Sequence, residues 1–212
     1  MTSSLRTRLR AGDPEAFREL FQDMAQAVHA LALRATGDRT VAEDVVSLTF
    51  LEVWRLREKM EPGDGSVRPW VYGVATNVLR NRGRAARRHQ QALARLPLPE
   101  DVPDVSIDVV GRIDDGVRLA AARKALGRLR RAEREVFLLC VWSDLGYAAA
   151  AEALGIPIGT VRSRLSRARA RLRKLTDEEL EKARWKPEPP SSSRQIPGDR
   201  GFAVGSTQER AR

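Results

Sequence analysis

The sequence predicts an all-α protein: two small helical domains joined by an extended acidic linker. Three observations carry that expectation. Apolar residues recur with helical spacing over several long stretches. Pro97–Asp115 (PLPEDVPDVSIDVVGRIDD) interrupts them with three prolines and six acids against one base, a poor helix best taken as linker. Past it, Tyr147–Lys174 reads as helix, tight turn and helix. The expected divisions are an N-terminal arm at 1–11, a first domain at 12–90, the linker at 91–115, and a second domain at 116–175. A short helix at 176–186 and a Pro-, Ser- and Gly-rich disordered tail at 187–212 complete the chain.

Asp13-Pro14 is a helix start, Asp as N-cap and Pro at the first helical position. Phe17, Leu20, Phe21, Met24, Val28 and Leu31 follow at helical spacing, and Gly37 ends the helix. Over Thr40–Lys59, Ala42, Val45, Val46, Thr49, Phe50, Val53 and Trp54 form a core stripe. Asp44, Ser47, Leu48, Leu51, Glu52 and Arg55 lie off it, and two leucines among charges suit a partner helix. Met60–Ser66 is a loop. Ser66 then caps a third helix running to about Arg88, whose buried side is Val67, Trp70, Val71, Val74 and Val78. Its other side carries Asn77, Arg80, Asn81, Arg84 and Arg88 at i, i+3, i+4, i+7 and i+11. Amides and guanidiniums are the groups that pair with base edges and phosphates.

In the second half, Leu119, Ala122, Leu126 and Leu129 share one helix face, and Val136, Leu139 and Cys140 belong to the next helix. Ala151, Gly155 and Val161 then supply what a helix-turn-helix needs: a small residue where helices cross, a glycine in the turn, and an apolar lock in the second helix. That second helix sets Val161, Leu165, Ala168 and Leu172 on one face and Arg162, Arg164, Arg167, Arg169, Arg171, Arg173 and Lys174 around the rest. Cations at that density call for a polyanion. Arg162, Ser163, Ser166 and Arg167 avoid the apolar face near the helix N-terminus, where an inserted helix meets base edges. Arg169–Lys174 suit general attraction. Thr176-Asp-Glu-Glu179 is a capping-box pattern for a separate short helix.

The formal net charge of +10 fits a nucleic-acid partner. Cys140 is the only cysteine, which excludes a disulfide framework and a thiolate zinc site within one chain. No paired histidine, metal-ligand cluster, phosphate-binding glycine loop or nucleophile with a base appears, so no enzyme, catalytic residue, metal or cofactor is expected. No run approaches the ~20 apolar residues of a membrane span, and MTSSLRTRLRAGD has no apolar export segment. The expectation is a cytoplasmic protein without membrane insertion.

AEDVVSLTFLEVWR (Ala42–Arg55) and WVYGVATNVLRNRGRAARR (Trp70–Arg88) together resemble the first conserved domain of the bacterial extracytoplasmic-function (ECF) sigma factors, in the sigma-70 family. LGIPIGTVRSRLSRARARLR (Leu154–Arg173) resembles their second domain. The resemblance covers Gly12–Arg88 and Gly116–Lys174. It implies a region 2 helical bundle, a region 4 helix-turn-helix, and a protein that binds core RNA polymerase and gives it promoter specificity. On that implication Asp44, Ser47, Leu48, Leu51, Glu52 and Arg55 contact the clamp of the largest subunit, and the flap of the second largest is a further contact. Asn77 falls where the family contacts the minus-ten element, on the face shared with Arg80, Asn81, Arg84 and Arg88, and the Met60–Ser66 loop helps form a pocket for a flipped base. Arg162, Ser163, Ser166 and Arg167 take the positions that touch the minus-thirty-five element of promoter DNA. The acidic linker threads toward the polymerase active centre, and an anti-sigma factor is a partner by family habit. The chain departs from the common pattern at Ser47 and Leu48, where many members carry Gln and an acid, at Val67, often aromatic, and at Asn81, often acidic. A stand-alone helix-turn-helix repressor or activator explains Leu154–Lys174 equally well, but not the second basic face or the acidic linker.

Overall fold

The computed structural model describes residues 4–93 and 113–184; most of the expected linker and the whole expected tail lie outside the described residues. The described residues form eight α-helices and no strand. In the first domain these are α1 (Leu5–Arg10), α2 (Pro14–Thr36), α3 (Arg39–Leu56) and α4 (Arg68–Leu93). Local chemistry sets their ends. The Asp13 carboxylate accepts the Glu15 N–H at 2.9 Å and Asp38 accepts that of Val41 at 3.0 Å, so each α2 and α3 start has a side-chain cap. Gly37 closes α2 with φ of 76°, a left-handed value that a side chain resists. The Ser66 hydroxyl accepts the Arg68 N–H, the expected start of α4.

The core stripes follow the expected periodicity. Leu20, Met24, Val28 and Leu31 of α2, Ala42, Val45, Thr49, Phe50 and Val53 of α3, and Val71, Val74 and Val78 of α4 are buried, while Trp70 is half-buried against the same cluster. Each fully buried side chain of this size contributes about 1.5–3 kcal/mol. Phe21 is the exception on α2. It stays exposed and meets Phe50 edge-on at 4.8 Å. The stretch expected to be an arm contains α1, which packs on α2 through buried Leu9, and Arg10 donates to the Met60 carbonyl at 2.6 Å.

The second domain holds α5 (Ile113–Arg128), α6 (Arg131–Phe137) continued by a π-turn (Leu138–Trp142), α7 (Tyr147–Leu154) and α8 (Ile158–Arg184). Two expectations are corrected here. Leu119 faces solvent, 61% exposed, because α5, which packs on α8, buries Ala121, Ala125 and the expected Leu126, a line that turns Leu119 outward. The capping-box residues at 176–179 begin no new helix. The apolar stripe runs on through buried Leu175, and Glu178 and Glu179 reach Arg128 of α5 at 3.0 and 2.9 Å, which holds the continuous helix against α5.

The two domains pack on one another. One hydrophobic cluster runs through both, from Leu9 and Leu20 to Val161 and Ala168. The α4–α7 crossing is the main contact between them. It is close because α4 presents Gly73: a Cβ there would lie 2.6 Å from the Ala153 carbonyl oxygen.

Candidate nucleic-acid interface

Two faces suited to nucleic acid lie on α4 and α8. On α4, Asn77, Asn81, Arg84 and Arg88 are exposed along one side, as the spacing requires. Arg80 differs from them. Its Nε and Nη2 donate to the two carboxylate oxygens of Glu135 on α6 at 2.8 and 2.7 Å, and its Nη1 donates to Asn77 Oδ1 at 3.1 Å. Hydrogen bonding to Glu135 raises the Arg80 guanidinium further above its ordinary range, although burial works against it. Alongside lies a largely apolar cleft of about 630 Å³, floored by residues such as Leu31, Leu79 and Leu138 and edged by Arg82, Arg87, Arg131 and Arg134. Burial lowers the Arg134 guanidinium, Glu135 opposes that shift, and Arg87 and Arg131 add to it.

On α8, the turn before the helix has the expected form. Gly155 adopts φ of 62° and its N–H closes the end of α7, while the Ile156 N–H reaches the Ala151 carbonyl at 3.1 Å. Buried Val161, Leu165 and Ala168 fix the helix from below. Arg162, Ser163, Ser166 and Arg167 all face solvent on the first turns. The Ser163 hydroxyl donates to the Thr160 carbonyl and Arg167 Nε donates to the Ser163 carbonyl, at 3.1 and 3.3 Å, so both have local resting bonds that an incoming partner would replace. Arg171 belongs elsewhere, contrary to its expected share in general attraction. It donates to buried Glu133 of α6 at 3.2 Å and neutralises a carboxylate that burial would otherwise penalise. Among the described residues no group of three or more His, Cys, Asp and Glu could hold a metal ion.

Residues 20–89 match the family described as sigma-70 region 2, and residues 119–172 match sigma-70 region 4. The chain is 32% identical to the RNA polymerase sigma factor NccH of Alcaligenes xylosoxydans over 81% of this chain and 92% of that protein. It is 32% identical to the ECF RNA polymerase sigma factor SigL of Mycobacterium tuberculosis, over 80% of this chain and 93% of that one. This chain belongs to the ECF sigma factors. Among solved structures it is similar to the sigma factor RpoE of Bartonella quintana in complex with the anti-sigma factor NepR, with a TM-score of 0.59 and 27% identity, covering 76% of this chain and 96% of that one.

In this sigma factor the region 2 match takes in all of α3, whose outward side carries the remaining expected residues. Asp44, Ser47, Leu48, Leu51 and Arg55 are exposed and Glu52 is half-buried. Leu51, at 66% exposure, is the largest apolar projection of the helix. Asp44 pairs with Arg82 of α4 at 3.1 Å and Glu52 with Arg55 at 3.0 Å, so charged pairs flank the leucines. Sequence reasoning passed over Tyr147 of the sigma factor, an exposed ring at the start of α7 with the Arg162 guanidinium 5.8 Å from its centre. Its signal was a lone aromatic opening an alanine run. Glu135 carried no comparable signal, because its meaning depends on which helix it faces.

Proposed function

We propose that this protein binds core RNA polymerase and directs promoter-specific transcription initiation, with minus-ten melting served by α4 and minus-thirty-five recognition by α8. The observation that carries this reading is the presence of two separate nucleic-acid-suited helix faces on one chain, in domains matching regions 2 and 4. In that role Arg162, Ser163, Ser166 and Arg167 meet the minus-thirty-five element. Asn77, Arg80, Asn81, Arg84 and Arg88 meet the minus-ten element. The exposed side of α3, with Leu48 and Leu51 at its centre, docks on the polymerase clamp. The protein acts in the cytoplasm as an initiation factor and has no chemistry of its own; among the described residues no helix is long and apolar enough to cross a membrane. By its likeness to RpoE held by NepR, an anti-sigma factor is a second partner.

Reconstitution with core polymerase tests the reading. Transcripts starting at a restricted set of promoters are expected once the protein is added, with little specific duplex binding by the free protein. Tight operator binding by the free protein and no transcripts would overturn it in favour of a stand-alone repressor.

A further inference from the structure

On the reading proposed above, a base flipped from the minus-ten element is received by the Met60–Ser66 loop that precedes α4, and the inference drawn here rests on that reading. The loop (MEPGDGS) contains no cation. What it offers an unpaired base is therefore its backbone groups and the carboxylates of Glu61 and Asp64, whose use depends on where they stand. General attraction for phosphate contributes nothing. Residues 61–66 are all exposed and two of them are glycines, so the loop has little of its own to fix its shape.

The side chains that fix it come from α1. Arg10 Nη1 donates to the Met60 carbonyl at 2.6 Å, where the loop begins. The Ser4 hydroxyl, which caps α1 by accepting the Thr7 N–H, donates to the Gly63 carbonyl at 3.2 Å, near the tip. Farther along, the Arg6 guanidinium lies against Gly65, where a Cβ would be 3.5 Å from its Nη1, while its Nη2 meets Glu152 of α7 at 3.4 Å. The Met60 side chain is buried, which anchors the start of the loop from inside.

The α1 helix is itself held from its other side. Leu9 is buried, and Arg8 pairs with Asp13 and Glu19 at 2.8 and 3.2 Å. Its exit fits the 3-10 turn that leads into the loop, Arg57–Lys59. Gly12 takes φ of 82° there, and a Cβ on it would stand 3.3 Å from Arg57 Nε. Arg57 in turn lies over the Trp54 ring, 4.6 Å from its centre. At six residues α1 is too short to be stable alone, so these contacts make it a tie between α2 and the loop.

We infer that α1 braces the base-capture loop, and that Arg10 and Ser4 are positioning residues that hold it in shape before a base arrives. A loop ordered in advance loses less freedom on binding, so the brace raises affinity for the captured base without touching DNA. Arg10 is the stronger tie, because its bond is charge-assisted and short. Both ties end on backbone carbonyls, so they hold the loop whatever side chains it carries. The loop residues stay free to choose the base.

Holoenzyme reconstituted from the full chain and core polymerase tests this on forked minus-ten oligonucleotides, intact or with one abasic site placed in turn at each unpaired position. With the wild type, an abasic site at the captured position should weaken binding. Arg10→Ala should lower affinity for the intact fork about tenfold, toward the abasic value, and leave affinity for that abasic fork unchanged. Ser4→Ala should act in the same direction with a smaller loss. Arg10→Lys keeps a cationic donor for the Met60 carbonyl and should restore most of the difference between the two forks. A difference that persists undiminished in Arg10→Ala, an equal loss on both forks, or no recovery in Arg10→Lys would overturn the inference. Failure of the underlying minus-ten reading has a separate signature: wild-type holoenzyme would then bind intact and abasic forks alike at every position.

Discussion

Arg162 and Arg80 show how one residue type takes different duties according to what faces it. Arg162 projects from the start of the second turn of α8 beside the Tyr147 ring, which steers its guanidinium without supplying a counter-charge. It can therefore exchange that contact for a base edge. Arg162→Ala is expected to weaken promoter binding by about 1–3 kcal/mol and to relax selectivity at one position of the minus-thirty-five element. Holoenzyme binding to promoters altered base by base measures this, and an equal loss on every sequence would assign Arg162 to phosphate instead. Arg171 lies on the same helix but is held by Glu133, and Arg80 is held by Glu135. Both acids come from α6, and neither pairing could be read from the order of residues along the chain.

Helix ends and core stripes were the legible part. The Asp13-Pro14 start, the Gly37 stop and the Gly155 turn each depend on local backbone chemistry, so local sequence suffices to place them. The illegible part was wherever a helix has a second buried side. On α4 the side formed by Tyr72, Gly73 and Thr76 is buried where the helix crosses α7 at Gly73, so a one-core reading leaves it without a role. On α5 an alanine line lets the helices approach and turns Leu119 outward. The candidate α8 contacts were legible because its buried face is narrow and regular, which leaves the rest of the cylinder free. On α3 the outward leucines matter through exposure. Leu51→Asp should change stability by no more than about 0.5 kcal/mol, as a surface substitution away from the core, yet abolish co-purification with core polymerase. A variant that still co-purifies would remove α3 from the polymerase contact.

At the scale of the molecule, the cluster that runs through both domains couples their stability. Each domain is small enough that loss of the α4–α7 seam exposes a large share of its apolar surface. Calorimetry of the free chain should therefore give one unfolding transition. Two resolved transitions would mean that each domain folds without help from the other and that the seam adds nothing measurable.

The unbroken α8 has a consequence for how a duplex can approach. At 27 residues it is a rod of about 40 Å. Its charge is graded along its length: cations crowd from Arg162 to Lys174, whereas Asp177, Glu178, Glu179 and Glu181 are interleaved with Lys182 and Arg184. Two of those acids are already paired with Arg128 of α5. Attraction for phosphate is therefore concentrated in the leading half of the rod, which sets the end that a duplex meets first.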